Sequence, residues 1–308
     1  MAEKRADLAA LEVNDPFSYV GDKVFPTMKQ EQKVDTVYHI TPTADSSAQE
    51  SRTLGTAPNS ATMAPSSGTA TCTEIIDRVI IPDDEIPRYG GSVDMALKLN
   101  AIVAKRNVMR ILEARQVTEA ESASIAGMDI LGNGIRYAMD FAVDAVHTVP
   151  GRLCGVCGWN TFRRLTRYTE ISNTLLRSIL SGGETAAADV RQVSVPIVAS
   201  ILGLQELYVG DSDHWTDGQM TIFKQADPVM FPWMESQIGR TVTYWPEAVE
   251  NPIEIETFYS NNLKSWTVDC RCWNVVKRFA SRAGMFIIKG IDEGNTNTTT
   301  TTTTTTTT

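Results

Sequence analysis

Apolar and polar positions alternate with a period of two from Val34 to Ile40, where Val34, Thr36, Tyr38 and Ile40 are interleaved with Asp35, Val37 and His39. That pattern predicts a strand. Just ahead of it, Pro26 bars a helix and holds Phe25 in an extended or turn conformation. Residues 1–22 are polar and mixed in charge, with one short helix predicted over Ala6 to Val13 before Asp15-Pro16. A second strand-like run, CTEIIDRVIIP, covers Cys72 to Pro82. Between the two strands, the chain is rich in Ser, Thr, Ala, Pro and Gly and nearly devoid of large apolar residues. Such a stretch cannot bury enough surface of its own to offset its ordering entropy. Two strands flanking it predict an extended hairpin, and a loop of that length points to function.

The period then changes to that of a helix. In SVDMALKLNAIVAKRNVMRILEARQV, the residues Val93, Ala96, Leu97, Ala101, Ala104, Val108, Ile111 and Leu112 recur at three- and four-residue steps. Ser92 and Asp94 suit the start of this helix, which at about 1.5 Å per residue spans roughly 37 Å. A second helix is predicted over Gly134 to Thr148, with Ile135, Ala138, Met139, Ala142, Val143 and Val146 on one face and Pro150-Gly151 as its stop. Beyond Arg152 the segments shorten. Strands are predicted at Leu153–Cys157, Glu206–Gly210, Met220–Lys224, Thr241–Trp245, Ile253–Tyr259, Ser265–Trp273 and Met285–Ile291, with helices at Trp159–Tyr168 and about Val193–Leu202. The threonine tract after Gly294 has no core-forming side chains and is expected to be disordered or weakly extended.

Composition narrows the function classes. A chain of 308 residues with 42% hydrophobic and 21% charged residues can bury a sizeable core. Its formal net charge is −9 and its isoelectric point is near 5.0, which weighs against a reader of phosphate backbones but not against a protein that encloses nucleic acid. No apolar run approaches the roughly 18–20 residues of a membrane span. The opening MAEKRADLAALEVNDPF has no apolar core, so no secretion signal is expected and synthesis is read as cytoplasmic. Five cysteines, an odd number, fit a reducing compartment better than a disulfide scaffold.

Candidate chemistry is sparse. His39, His147 and His214 show no metal or triad spacing and read as surface or structural residues. PDDEIP, Pro82 to Pro87, reads as a solvated turn rather than a calcium site, because calcium needs six to eight oxygens. LGNGIRYAMD lacks the third glycine and the preceding strand of a nucleotide fingerprint, and SGGETA (Ser181 to Ala186) lacks the ending of a phosphate loop. Cys154, Cys157, Cys270 and Cys272 would together supply four thiolates for a tetrahedral zinc. Cys270 and Cys272 share a strand face, but Cys154 and Cys157 fall on opposite faces, so buried free thiols are the better reading. No catalytic, cofactor-binding or metal residue is assigned.

The order of these features resembles the major capsid proteins of tailed bacteriophages, with the Hong Kong 97-like fold. The likeness covers roughly Tyr19 to Asp292. YVGDKVFPTMKQEQKVDTVYHI is similar to that family's entry into its extended loop, DRVIIPDDEI to the return strand, and DMALKLNAIVAKRNVMRILEARQV to the spine helix. VPIVASILGLQELYVGDS resembles the axial-domain helix and strand, and the run from Ile253 to Ile291 the closing strands. PGRLCGVCGW departs from the Pro-Asn that often precedes the corresponding strand, and the threonine tail has no family counterpart.

The resemblance implies an α+β chain divided into an amino-terminal arm (1–32), an extended loop (33–86), a peripheral domain with the spine helix (87–150), an axial domain (151–240), return strands (241–292) and a tail (293–308). It implies hexamers and pentamers of the same chain in an icosahedral shell around double-stranded DNA. Scaffolding, portal and decoration proteins are the implied partners, the virion the location, and neither cofactor nor membrane is implied. Residues 1–32 and 41–72 are expected to make few contacts with their own body and many with neighbours, with Phe17, Phe25, Leu54 and Met63 buried between subunits. Lys4, Arg5, Arg163, Arg164 and Arg167 are expected on the inner surface. Some members weld subunits with an isopeptide bond from a loop lysine to an asparagine. Here no lysine occurs between Lys33 and Lys98, and Arg52 and Arg78 are the basic residues of the hairpin. A nanocompartment or gene-transfer-particle shell is the alternative within the class, distinguished by gene neighbourhood. A zinc-binding protein or an enzyme with an unfamiliar site is the alternative outside it, distinguished by a metal assay.

Overall fold

The computed structural model describes residues 3–11, 19–39, 66–130, 134–147, 151–168, 170–171, 195–225, 238–245, 252–278 and 284–291. In chain order these form β1 (Glu3–Lys4), α1 (Ala6–Ala9), α2 (Gly21–Val24), β2 (Thr27–Gln30), β3 (Val34–His39), β4 (Ser66–Thr71) and β5 (Thr73–Pro82). A 3₁₀ helix (Asp83–Tyr89) leads into α3 (Val93–Ala120), β6 (Gly127–Asp129), α4 (Gly134–Val146), β7 (Arg152–Gly158) and α5 (Trp159–Arg167). The remainder comprises α6 (Val195–Ile201), β8 (Glu206–Gly210), β9 (Met220–Gln225), β10 (Gly239–Tyr244), β11 (Glu254–Ser260), β12 (Ser265–Arg278) and β13 (Met285–Lys289).

Two body sheets organise these elements. The first has the order β1-β11-β12-β10-β2, with β5 along the other edge of β12. At 14 residues, β12 is long enough to hold β11 beside its first half and β10 beside its second. The second sheet has the order β6-β13-β9-β7-β8. One of its faces carries α4, α5 and α6 over a core that includes Ile135, Phe162, Leu165, Val198, Ile222 and Phe286. α4 therefore packs on this sheet, although it falls in the segment grouped with the long helix from the sequence.

α3 joins the two sheets by changing its buried face. Ser92 caps its start, accepting the Met95 N–H at 3.3 Å. In the first half Leu97, Ala101, Ala104 and Val108 lie against the first sheet, with Leu112 at the edge of that cluster. In the second half Glu113, Gln116, Val117 and Ala120 are buried instead, and the last two belong to the core on the other face of the second sheet. Successive residues are about 100° apart around a helix, so the switch after Leu112 turns the buried stripe by more than a quarter-turn. Ile111, expected on the apolar stripe, is 41% exposed for that reason.

The structure corrects two expectations. First, the described parts of residues 1–32 are not detached from the body. β1 pairs with β11, and β2 pairs in parallel with β10. Leu8, Val20, Val24 and Phe25 are all buried, Phe25 completely, so Phe25 is a core residue of its own chain rather than a contact between subunits. Few apolar residues in this segment suggest an arm, but a few large apolar anchors suffice when edge strands supply the remaining hydrogen bonds. Second, the hairpin partner of β3 is β4, from Val34↔Thr71 to His39↔Ser66, and not the run beginning at Cys72. β5 is committed to β12 over ten residue pairs. Phe17, Leu54 and Met63 lie outside the described residues, as do Arg52, residues 40–65, Ser181 to Ala186 and the tail.

Candidate assembly junction and surfaces

Glu113 sits where the buried face of α3 switches, and it is 1% exposed. Its Oε1 accepts the Val20 N–H at 3.2 Å and the Trp215 indole N–H at 3.1 Å, and its Oε2 accepts the Gly21 N–H at 3.0 Å. Gln116, one turn on, donates to Asp22 at 2.6 Å and to the Thr241 hydroxyl at 2.9 Å. Thr241 in turn donates to the Phe25 carbonyl at 2.9 Å. Five residues further on, just past the end of α3, Glu121 accepts the Thr216 N–H at 3.2 Å. The amino-terminal segment, the Trp215 loop and β10 thus meet on one side of α3. Burial raises the pKa of both carboxyls, while the N–H donors pull the other way. Space is tight here: a Cβ on Gly21 would lie 2.2 Å from Gln116 Oε1 and 2.7 Å from Glu113 Oε2.

This junction escaped the sequence reading, although it left a trace. Two polar residues, Glu113 and Gln116, continue the helical spacing of buried positions, and on a surface helix they would pass for solvent-facing residues.

The first sheet buries one face under α1 and α3 and leaves the other largely to polar side chains. On that outer face Asp269 is buried at the centre. It accepts two hydrogen bonds from the Arg78 guanidinium, at 2.7 and 2.6 Å. Arg271 lies 3.7 Å from Asp269 and 2.7 Å from Glu256, extending the ionic ladder across three strands. Ile76 and Ile80 flank Arg78 and are 45% and 51% exposed. Further exposed apolar side chains lie one turn apart on α3 (Met95, Leu99, Val103) and on α4 (Tyr137, Phe141).

Among the described residues, the β3–β4 hairpin shares no ladder with either body sheet. Its root is anchored: the Cys72 N–H donates to the Lys33 carbonyl at 2.8 Å. The Lys33 ammonium stands 4.0 Å from the Trp273 ring centroid and 5.5 Å from that of Tyr244, a cation–π contact with two edge-to-face rings.

The candidate chemical groups disperse. Cys154 and Cys157 point to opposite faces of the second sheet, into different cores. Cys270 and Cys272 share a third core, and Cys72 belongs to a fourth. Among the described residues, no group of three or more His, Cys, Asp or Glu is placed to hold a metal ion. The acidic PDDEIP turn is the start of the 3₁₀ helix, where Asp83 accepts a hydrogen bond from the Tyr259 hydroxyl at 2.5 Å. His147 is exposed and bonded to the Asp144 carbonyl, and His214 adjoins Trp215 in the loop before β9. Of the basic residues expected on an inner surface, Lys4 pairs with Glu254, Arg5 with Asp7 and Asp94, and Arg164 with Asp217. Arg163 and Arg167 are exposed on α5. No described helix is long and apolar enough to cross a membrane.

No family model matches the sequence, and no curated protein matches it in sequence. Solved structures do match in shape. A crystal structure of a phage-related protein from Bordetella bronchiseptica superimposes with a TM-score of 0.63 at 12% identity, covering 93% of this chain and 96% of that one. A structure from Microbacterium phage Oxtober96 gives 0.56 at 11% identity, over 91% and 94%. The capsid structure of cyanophage P-SCSP1u gives 0.53 at 10% identity, over 91% of each chain. From one end of the body to the other, the chain has the mixed α+β fold of phage capsid proteins.

Proposed function

We propose that this chain is the major capsid protein of a tailed bacteriophage, with a structural rather than catalytic role. Copies would assemble as hexamers and pentamers into an icosahedral shell around double-stranded DNA, with scaffolding, portal and decoration proteins as partners. In this reading α3 is the spine helix of a peripheral domain built on the first sheet. The second sheet with its three helices is the axial domain, and the β3–β4 hairpin is the base of the extended loop. Synthesis is in the host cytoplasm and the finished protein resides in the virion.

The carrying observation is the shared fold, which spans more than nine-tenths of this chain and of each matched chain. The separate β3–β4 ladder and the exposed apolar residues of both layers fit a chain whose remaining surface is covered by copies of itself. With a net charge of −9, such a shell would confine DNA rather than grip it through a continuous basic lining.

Electron microscopy of the expressed, purified chain tests the proposal. Closed shells or hexameric rings are expected. A uniform monomer with catalytic turnover would overturn it, and small closed shells from a gene without portal and terminase neighbours would assign a nanocompartment instead.

A further inference from the structure

We propose that the open edge of β5 is a two-fold joint between copies of this chain: β5 of one copy pairs antiparallel with β5 of a second, in the register that sets Ile76 against Ile80. The joint goes beyond the assembly reading, since it names the edge and the register through which two copies meet.

β5 runs for ten residues, Thr73–Pro82, and pairs with β12 along one side. Among the described residues, no strand pairs with its other side, and such an edge is a template for a further strand. The other outermost strands of the two body sheets are shorter: β1 has two residues, β2 four, β6 three and β8 five. Short strands, bulges, prolines and outward charges are the usual protection of an edge. β5 keeps an unbroken register and has no proline before Pro82. Its outward side chains are Glu74, Ile76, Arg78 and Ile80, all exposed, the two isoleucines by 45% and 51%. The charge between them is already matched, because two hydrogen bonds to Asp269 draw the Arg78 guanidinium back over β12.

The sequence of this edge is complementary to itself. Antiparallel strands related by a two-fold axis normal to the sheet present the same face, so facing residues are both outward or both inward. With the axis at Arg78, Ile76 faces Ile80 twice, and on the inward face Ile75 meets Ile81 and Asp77 meets Val79. Asp77 is satisfied within its own chain by Asn107 at 2.9 Å. The two Arg78 side chains flank the axis, each held to its own Asp269. Glu74 faces Pro82 at the margin, where Arg115 of α3 reaches the Thr73 and Glu74 carbonyls. An axis at Asp77 would set Ile76 against Arg78 and Ile80 against Glu74. One at Ile76 would set Ile80 against the buried Cys72. Only the axis at Arg78 covers each isoleucine with the other, the cross-strand packing that stabilises a pair of strands. A two-fold joint also uses up the edge, so pairing stops at two copies.

Disulfide trapping in the full-length chain reads the register. Along one strand, positions 76 and 80 lie about 13 Å apart. A disulfide needs Cα atoms within about 7 Å, so a bond between cysteines at these positions joins two copies. The five native cysteines are buried. Mild oxidation of I76C/I80C, and of an equal mixture of I76C and I80C, should give a reductant-sensitive band at twice the monomer mass. I76C alone and I80C alone should stay monomeric. No dimer from the double variant, or a dimer from either single variant alone, would overturn the joint. A second measurement needs no substitution. In unassembled wild-type protein, hydrogen exchange of the peptide covering residues 73–82 should slow as protein concentration rises, and exchange independent of concentration would overturn the joint equally. Cross-linked pairs in a protein that never forms shells would leave the joint standing and sink the capsid reading, and shells without the cross-link would do the reverse.

Discussion

Trp215 and Glu113 are 102 positions apart in sequence, yet the indole N–H of one meets the carboxylate of the other at 3.1 Å in a site closed to solvent. Through this bond the loop before β9 is tied to the same helix that lies along the first sheet. The two sheets are therefore joined through α3 itself, by a polar contact inside an apolar core. Both partners are satisfied, which is the condition for such a contact to stabilise.

Phe25 should matter to the isolated subunit. It is completely buried among Val24, Ile238 and Trp215 of its own chain. Truncation of a buried phenylalanine costs about 3–5 kcal/mol, so Phe25→Ala should lower unfolding stability of unassembled protein by that amount in urea titration. Unchanged stability would mean that residues 19–30 leave the body and bury Phe25 elsewhere.

The outer ladder should respond asymmetrically. Arg78→Ala leaves the buried Asp269 carboxylate with Arg271 at 3.7 Å as its nearest cation. Losing hydrogen bonds to a buried charged group costs about 1.5–3 kcal/mol. Asp269→Asn should cost less, because the Arg78 side chain is 55% exposed and regains water. Equilibrium unfolding of both variants checks the order, and a larger loss for Asp269→Asn would contradict it.

The thiols should be inert in the folded chain. Burial pushes Cys154 and Cys272 up to about 11 and Cys157 and Cys270 up to about 12. At pH 8 the thiolate, the reactive form, is then scarce at all four. A colorimetric disulfide reagent should label these four slowly before urea is added and all five cysteines rapidly afterwards. Fast labelling of Cys154 or Cys270 in the native protein would show that its core opens.

Closure of the proposed shell should be noncovalent. The absence of lysine between Lys33 and Lys98 leaves the hairpin without an amine, and the guanidinium of Arg78 is protonated and held by Asp269. Mature particles boiled in detergent with reductant should run as one band near the monomer mass of 33.8 kDa. A ladder of reductant-resistant oligomers would reveal a cross-link of another kind.

The sequence by itself determined most of the elements, because their signals are local. A period of two marks β3, β8 and β12, and steps of three and four mark α3 and α4, whatever the chain does elsewhere. The order of those elements was enough to show the likeness to capsid proteins before any pairing was known. Only the tertiary structure decided which edges meet. β5 pairs with β12, some 190 residues away, instead of with the nearby β3. The two-residue β1 exists only because β11 offers it an edge. The same holds for the junction. Glu113 and Gln116 are ordinary helix residues until α3 changes its buried face and brings Val20, Gly21, Trp215 and Thr241 to them. Hydrophobic periodicity is written between neighbours along the chain, whereas a buried polar contact depends on donors and acceptors that only packing brings together.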